Sequence, residues 1–190
     1  MSNNQKNFGF INKVGSGGLI NVDSILAELN LKSGMTVADF GCGAGYFTIP
    51  IAKIVTNSGK VYAIDVLSSA LESVSSKAKL YGLLNIETIR ANVEADKNSK
   101  IKEESVDFVI LANILFQTND HDAIFKEAKR ILKNNGRIVI IDWIPNMISM
   151  GPKFEHCLSE SDVKKLTIKN GLISIGTIDA GNLHYGLIFK

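Results

Sequence analysis

Three closely spaced glycines, Gly41, Gly43 and Gly45, follow the aspartate Asp39 in the stretch VADFGCGAGYF. A backbone rich in glycine can approach a ligand closely and can adopt conformations that other residues avoid. One glycine is enough for a tight turn from a strand into a helix, so three at alternate positions favour a ligand-binding loop. A second aspartate, Asp65, lies 20 residues beyond Gly45 and ends the next strand-like segment. This spacing predicts a binding loop with a second carboxylate beside it.

The charge and spacing of the loop indicate which kind of ligand it binds. Dinucleotide-binding loops read GxGxxG and phosphate-binding P-loops read GxxxxGK[ST], whereas this loop reads GxGxG and residues 58–61 complete no P-loop. A carboxylate at Asp39 would repel a pyrophosphate and attract a cation. A carboxylate at Asp65 can accept hydrogen bonds from both hydroxyls of a ribose. A nucleoside with a positively charged tail fits these features, and S-adenosylmethionine is such a molecule.

The segments around the loop alternate between strand and helix patterns. Short apolar runs predict strands at 36–40, 60–65, 85–91, 106–112 and 137–143. Helical spacing of apolar residues and helix-ending residues predict helices within 21–35 and at 46–56, 68–82, 121–133 and 159–171. The run Asn134-Asn135-Gly136 predicts a turn between the fourth of these helices and the strand that follows it.

The end of the chain follows a different pattern. Two strand-like segments, 172–179 and 183–190, are separated only by Ala180-Gly181-Asn182, which predicts an antiparallel hairpin. The earlier strands are joined through helices, which predicts parallel pairing. The expected fold is therefore α/β, with a doubly wound, Rossmann-like sheet of seven strands that is mostly parallel and has an antiparallel last strand.

Composition limits the domain organisation and the partners. The chain has 190 residues, of which 45% are hydrophobic and 21% charged, as in one globular domain. We expect a domain over 20–190 and a mobile arm over 1–19, which is either a frayed terminus or a lid over a site. A formal net charge of +2 without long charge runs argues against a nucleic-acid or membrane partner. Cys42 and Cys157 form no CxxC pair, so neither a disulfide framework nor a metal site is indicated.

The expected location is the cytoplasm. The first ten residues, MSNNQKNFGF, lack the basic-then-apolar pattern of a signal peptide. No apolar run approaches the roughly 18 residues that are needed to cross a bilayer. Two reduced thiols are also typical of an intracellular protein.

The glycine loop and its surroundings resemble the class I S-adenosylmethionine-dependent methyltransferases. The pattern Asp39-x-Gly41-x-Gly43-x-Gly45 is similar to the first motif of that family, and Asp65 falls at its ribose-binding acidic position. The resemblance covers roughly 20–190 and is closest to the type-11 small-molecule branch, which includes ubiquinone and menaquinone biosynthesis enzymes. It implies that S-adenosylmethionine is bound by Asp39, Gly41, Gly43, Gly45, Asp65, Val66, Asn92, Val93 and Asn113.

Some segments depart from the pattern of that family. Residues 90–94 are similar to the segment that meets adenine, but Asn92 stands where the family usually has Asp. An amide oxygen can still accept a hydrogen bond from the adenine amino group, although without charge. Asn113 follows the fourth strand, where the family places residues near the transferable methyl group. Residues 113–116 read Asn-Ile-Leu-Phe, unlike the proline-containing motif of DNA amino-methyltransferases.

Methyl transfer from a sulfonium needs alignment of donor and acceptor more than it needs a catalytic triad. A general base is required only where the acceptor carries a proton. The candidates for a catalytic group are His156, Asp142 and His121, each of which also fits a structural role such as capping or loop packing. His184 and Tyr185 lie in the last strand, where packed or edge positions are expected.

Four functions remain open at this point. The motif set favours a small-molecule methyltransferase, with Trp143 and Phe116 shaping an acceptor pocket between the arm and the loop after the fifth strand. An RNA or protein methyltransferase would be expected to carry a basic face or a further domain. A nucleotide-dependent oxidoreductase of the short-chain type would need a Tyr-x-x-x-Lys pair, which the sequence lacks. A non-catalytic S-adenosylmethionine-binding protein would use the same binding residues.

Overall fold

The computed structural model describes residues 20–95, 97, 99–145 and 157–190. The predicted arm over 1–19 and His156 lie outside the described residues. The helices are α1 Val22–Leu29, α2 Thr48–Val55, α3 Ser68–Leu80, α4 His121–Ile131 and α5 Glu160–Lys169, with one 3-10 turn at Leu115–Gln117. The strands are β1 Thr36–Phe40, β2 Lys60–Asp65, β3 Ile86–Arg90, β4 Val106–Ala112, β5 Leu132–Trp143, β6 Ser174–Ile178 and β7 His184–Phe189.

The seven strands form one sheet in the order β3-β2-β1-β4-β5-β7-β6. The first five strands pair in parallel, whereas β7 runs antiparallel to both of its neighbours, β5 and β6. The predicted fold class and the predicted hairpin are therefore confirmed. The strand order reverses between β1 and β4, and this reversal opens a crevice at the carboxyl ends of the parallel strands, where such sheets bind ligands.

Helices cover both faces of the sheet, which explains why most residues of its central strands β1 and β4 are apolar. On one face, Ile25 and Leu29 of α1 pack with side chains of α2 and the sheet in one buried cluster. On the other face, Phe125 of α4 and Val163 of α5 belong to a second buried cluster. The two layers hold the carboxyl ends of the strands rigidly, so the loops at that edge have a fixed support.

Short polar side chains begin three of the helices. The Asn21 carboxamide oxygen accepts the N–H of Ser24 at the start of α1, and the Ser159 hydroxyl accepts the N–H of Asp162 at the start of α5. Asp120 has the same role before α4. Each cap satisfies a backbone donor that the first turn leaves unpaired.

The boundary between α4 and β5 differs from the prediction. The helix ends at Ile131 and the strand begins at Leu132, so the predicted turn at 134–136 falls within β5. The pairing of β4 with β5 is irregular there, because Val106 pairs with Leu132 and Phe108 pairs with Arg137. The five-residue step on β5 against two residues on β4 makes a bulge. The turn-forming residues therefore bend the strand without ending it.

Candidate cofactor-binding site

The glycine loop connects β1 to α2 with a left-handed backbone at each of its three glycines. The φ angles are +69° at Gly41, +49° at Gly43 and +84° at Gly45. The N–H groups of Gly41 and Cys42 both donate to the Ile64 carbonyl at the end of β2, at 2.8 and 3.0 Å. Side chains rarely adopt such φ angles, and glycine adopts them at no steric cost. Other residues at these three positions would therefore strain the backbone. The two hydrogen bonds hold the loop to the sheet.

The three glycines differ in what a side chain would meet. A Cβ atom at Gly41 would lie 2.6 Å from the Ile114 side chain, and one at Gly45 would lie 3.0 Å from the Val74 side chain. Gly41 and Gly45 therefore permit close packing of the loop. A Cβ atom at Gly43 would meet nothing within 4 Å. Gly43 consequently faces open space at the carboxyl edge of the sheet.

That open space is a cavity of about 300 Å³ at the point where the strand order reverses. It is formed by the glycine loop, the end of β2, the segment after β3 and the segment after β4. Seven of the nine predicted cofactor-binding residues line it: Gly41, Gly43, Asp65, Val66, Asn92, Val93 and Asn113. The other two, Asp39 and Gly45, are not among the residues that line it.

Asp65 ties the glycine loop to the end of β2. Its two carboxylate oxygens accept the N–H groups of Gly43 and Leu67, each at 2.9 Å. A carboxylate offers about four acceptor sites, so Asp65 retains capacity for the two hydroxyls of a ribose. The same side chain therefore orders the loop and presents oxygens to the cavity.

Asp39 lies behind the glycine loop. It is buried, with 2% of its surface exposed, and it accepts a hydrogen bond of 2.5 Å from the Thr48 hydroxyl in the first turn of α2. Burial raises its pKa to about 6, while the hydrogen bonds from Thr48 oppose the shift. This position joins β1 to α2, so the direct attraction of a cation by Asp39 stays a prediction.

Two neighbouring residues close the cavity on the side of β3. The Asn92 side-chain oxygen accepts the N–H of Glu94 at 2.9 Å. The Glu94 carboxylate in turn accepts the N–H groups of Asn119 and Asp120 at 3.0 and 2.9 Å. Glu94 thereby joins the segment after β3 to the segment before α4. Its bridging role was missed in the sequence, since no local pattern shows which backbone groups a carboxylate will meet.

The mouth of the cavity exposes apolar surface. Val66 and Leu67, directly after β2, are 51% and 61% exposed although both are large hydrophobic residues. Both line the cavity. Exposed apolar side chains beside polar groups are typical of a site that binds an organic ligand.

Asn113 has an unusual conformation for a residue other than glycine. Its φ angle is +55°, its N–H donates to the Ile141 carbonyl at 2.8 Å, and its own carbonyl accepts from the Gln117 carboxamide at 3.1 Å. Its side-chain oxygen is buried and has no hydrogen-bond partner among the described residues. Strain combined with an unpaired buried acceptor is characteristic of binding sites.

Of the candidate catalytic residues, the structure describes Asp142 and His121, which support the cavity wall and are not among the residues that line the cavity. The Asp142 carboxylate, buried at the end of β5, accepts the N–H groups of Leu115 and Trp143 at 3.0 and 2.8 Å. Burial raises the pKa of Asp142 to about 6, against the effect of these two hydrogen bonds. The His121 ring lies 3.0 Å from the Leu115 carbonyl oxygen. Both side chains hold the 3-10 turn at Leu115–Gln117, and a catalytic role for either stays a prediction.

The last strand brings two aromatic residues to the end of β5. The His184 ring packs on Trp143 with the ring centroids 4.2 Å apart, and Tyr185 donates its hydroxyl to the Leu158 carbonyl at 3.2 Å. Both residues of β7 are buried, as predicted for packed strand positions. Phe116 lies in the 3-10 turn beside the cavity and is half-buried.

Two further properties concern metals and membranes. Within residues 20–95, 97, 99–145 and 157–190, no group of three His, Cys, Asp or Glu side chains is placed to hold a metal ion. In the same part of the chain, every helix is too short or too polar to cross a bilayer.

Comparison with known proteins identifies relatives of the chain. Residues 31–182 match the family model described as a methyltransferase domain. The demethylmenaquinone methyltransferase of Lactococcus lactis subsp. lactis is 33% identical over 110 residues, which is 58% of this chain and 42% of that protein. The ubiquinone/menaquinone biosynthesis C-methyltransferase of Haemophilus ducreyi is 29% identical over 114 residues, or 60% of this chain and 43% of that protein. The chain thus spans less than half the length of these two relatives.

Solved structures with the same fold extend over nearly the whole chain. A structure of an S-adenosylmethionine-dependent methyltransferase from Aquifex aeolicus has a TM-score of 0.82 and 29% identity, covering 90% of this chain and 89% of that one. A protein from Sulfolobus solfataricus described as a type 11 methyltransferase has a TM-score of 0.74 and 27% identity, with 90% and 92% covered. These similarities confirm the resemblance that the glycine loop indicates. The chain belongs to the methyltransferase domain family.

Proposed function

We propose that this protein transfers a methyl group from S-adenosylmethionine to a small-molecule acceptor. The observation that carries the proposal is the cavity at the reversal of strand order, where Gly43 leaves room for a ligand and Asp65 presents a carboxylate. Family membership and the structural neighbours support the same cofactor. We also propose that 20–190 form one catalytic domain and that 1–19 form an arm.

The residues of the cavity fit S-adenosylmethionine. A side chain at Gly43 would occupy the cavity, so its glycine leaves a cradle for the cofactor. The unpaired Asn113 oxygen can accept a hydrogen bond from the cofactor ammonium group. Asp65 would hold the ribose hydroxyls, and Asn92 and Val93 would meet the adenine.

When bound, S-adenosylmethionine supplies a methyl group that is already activated by its sulfonium. The chain contributes binding and orientation, which can lower the barrier by several kcal/mol. Asp65 fixes the glycine loop, and Asp142 with His121 fixes the turn after β4. Ile114 lies beside Gly41 and lines the cavity, so this part of its wall is apolar.

The relatives support a class of acceptor. Two of them are named for demethylmenaquinone or for ubiquinone and menaquinone biosynthesis, so a phenolic precursor of a quinone is the first acceptor to test. A net charge of +2 gives no support to a nucleic-acid partner. Cys42 and Cys157 form no disulfide in the part of the chain that the structure describes, which supports a cytoplasmic location.

Calorimetry with the purified protein tests the proposal. We expect micromolar binding of S-adenosylmethionine and S-adenosylhomocysteine and no binding of NAD. The same protein is used in all three titrations, so any difference in affinity comes from the ligand. Binding of NAD with equal affinity would favour an oxidoreductase, and absence of adenosyl binding would refute the proposal.

A further inference from the structure

Glu94 is a half-buried residue whose carboxylate belongs to the wall of the cavity. One of its oxygens, Oε2, accepts the N–H groups of Asn119 and Asp120 at 3.0 and 2.9 Å. These two donors fix the direction of the carboxylate, because the side chain cannot turn without losing both hydrogen bonds. The other oxygen, Oε1, has no hydrogen-bond partner among the described residues. Glu94 therefore has a held side chain with acceptor capacity left for a ligand.

Asn92, two residues earlier, orients Glu94. The Asn92 side-chain oxygen accepts the N–H of Glu94 at 2.9 Å, which closes the short turn that asparagine favours. A carboxamide carries no charge, and its nitrogen can only donate. The charged acceptor that position 92 lacks is therefore supplied two residues later, by a side chain that lines the same cavity.

The wall beside Glu94 favours a ligand group that donates hydrogens. Thr118, which lines the cavity, directly precedes Asn119, whose N–H is bonded to Glu94. The Thr118 hydroxyl donates its hydrogen to the Ile114 carbonyl at 3.0 Å. Because a hydroxyl has one hydrogen, Thr118 offers a ligand an acceptor oxygen and no donor. An ionised carboxylate likewise only accepts, so a donor on the ligand suits both groups.

The distance from Asp65 to Glu94 suits a nucleoside. The Ala91 N–H donates to the Asp65 carbonyl at 3.1 Å, and Glu94 lies three residues beyond Ala91. Three residues of chain span at most about 10 Å, and a nucleoside has a similar length from its ribose hydroxyls to the far edge of its base. Val93 and Ile114 line the cavity as well and give it apolar surface for the face of a base. A nucleoside held at its ribose by Asp65 therefore reaches Glu94 with the polar edge of its base.

We propose, resting on the methyltransferase function above, that Glu94 determines which base the cofactor carries. Its Oε1 accepts a hydrogen from the 6-amino group of adenine. A base with a carbonyl group at the same position, such as hypoxanthine, places an acceptor against the carboxylate instead. The site rejects that base, because two acceptors cannot pair and the hydrogen bond of the amino group is lost. Glu94 is thus a specificity-determining residue and transfers no proton.

Calorimetry with two ligands that differ in their base tests the proposal. S-adenosylhomocysteine carries an amino group at the 6-position and S-inosylhomocysteine carries a carbonyl group there, and each is titrated into the full chain. We expect the inosyl compound to bind about 10- to 100-fold more weakly, the range for losing a hydrogen bond to a charged group. Equal affinities would overturn the proposal. Failure of both compounds to bind would instead refute the methyltransferase function.

Substitution of Glu94 separates base selection from a role in joining two segments. Glu94→Gln keeps the length of the side chain but adds donor hydrogens, so we expect it to bind the two compounds within about threefold of each other. Glu87→Gln on β3 is the matched control and should keep the preference, because Glu87 is exposed and is not among the residues that line the cavity. If Glu94→Gln weakens both compounds equally and keeps the preference, Glu94 only joins the segments and the proposal is overturned.

A further variant decides the matter should Glu94→Gln fail to fold. Asn92→Ala removes the other polar side chain of this segment that lines the cavity, and we expect it to keep the preference for the adenosyl compound. Loss of the preference in Asn92→Ala would assign the selection of the base to Asn92 and overturn the proposal. Urea unfolding of each variant checks that the fold is kept.

Discussion

Gly43 has a left-handed backbone and an open space where a Cβ atom would point. Gly82, just after α3, shares both properties but does not line the cavity. Both glycines therefore have a left-handed backbone, but only Gly43 lies at the cavity. Substituting each in turn separates the cost of the backbone from the loss of room for a ligand.

We expect Gly43→Val to abolish binding of S-adenosylmethionine, because the side chain would fill the cradle. Gly82→Val is the matched control and should bind normally. Each variant should lose about 1–2 kcal/mol of stability from its left-handed φ angle. Calorimetry and urea unfolding measure the two effects. Normal binding by Gly43→Val would contradict close approach of the cofactor to this residue.

Asp65 is the carboxylate that orders the loop and faces the cavity. We expect Asp65→Ala to weaken cofactor binding by about 1.5–3 kcal/mol, the range for losing charged hydrogen bonds. Asp107→Ala is a suitable control, since Asp107 also accepts a backbone N–H, that of Thr36, but does not line the cavity. Calorimetry of both variants measures the difference. If Asp65→Ala binds S-adenosylmethionine with unchanged affinity, then Asp65 does not hold the ribose.

The positions of the candidate site residues follow from the sequence more readily than their contacts do. Seven of the nine proposed cofactor residues line the cavity, since their positions follow from motif spacing at strand ends. Asp39 and Gly45 pack behind the loop instead. The alternation of side chains along β1 predicts which face of the sheet Asp39 points to. It cannot predict that Thr48 of α2 will lie over Asp39 and donate a hydrogen bond to it. A local sequence pattern does not show which hydrogen-bond partners come from distant elements of the chain.

Helix α4 holds the segment after β3 through a buried ion pair. Arg130 makes two hydrogen bonds to Glu127, at 2.7 and 2.8 Å, and one to the Ile101 carbonyl at 2.9 Å. Ser99 donates its hydroxyl to Glu127 as well. Glu127 is buried, so its charge depends on these partners. The network links the segment that follows the adenine side of the cavity to the core of the protein.

We expect Arg130→Met to destabilise the protein by about 3–5 kcal/mol, because it leaves the Glu127 carboxylate buried and unpaired. Lys164→Met is the control, since it breaks an exposed pair with Glu160 on α5 and should cost about 0.5 kcal/mol or less. Urea unfolding measures both. Equal losses in the two variants would show that the buried pair has no special role.

The boundaries of the elements were predicted less well than their existence. The run Asn134-Asn135-Gly136 has the composition of a turn, and yet these residues belong to β5. Pairing with β4 continues across a bulge there, and that pairing depends on a strand about 30 residues earlier in the sequence. The composition of a turn can be read from one short segment. The register of a sheet depends on two segments that are distant in the sequence, so one segment alone does not predict it.

At the scale of the whole molecule, two buried carboxyls make stability depend on pH. Burial, opposed by hydrogen bonds, raises the pKa of Asp39 and of Asp142 from 3.8 to about 6. The folded protein therefore holds these protons at a pH where the unfolded chain has lost them. It follows that the contribution of these two carboxyls to the free energy of unfolding falls as the pH rises from about 4 to about 6.

We expect Asp142→Asn to remove one of these two contributions, on the order of 2–3 kcal/mol between about pH 4 and pH 7. The amide leaves one backbone N–H without its acceptor, so the slope against pH is the quantity to compare. Urea unfolding at several pH values measures it. Asp39→Asn serves as the parallel variant and should remove a similar slope. A variant with the slope of the unchanged protein would contradict the raised pKa.

The position of β7 between β5 and β6 has a consequence for how the nascent chain folds on the ribosome. β7 is synthesised after β6, yet β6 pairs with no other strand of the described sheet. β1 to β5 and the cavity they support can assemble while the polypeptide is still being elongated. β6 must wait for β7, and so must the contact between Trp143 and His184. The strands that support the cavity can therefore pair before the β6–β7 hairpin completes the edge of the sheet.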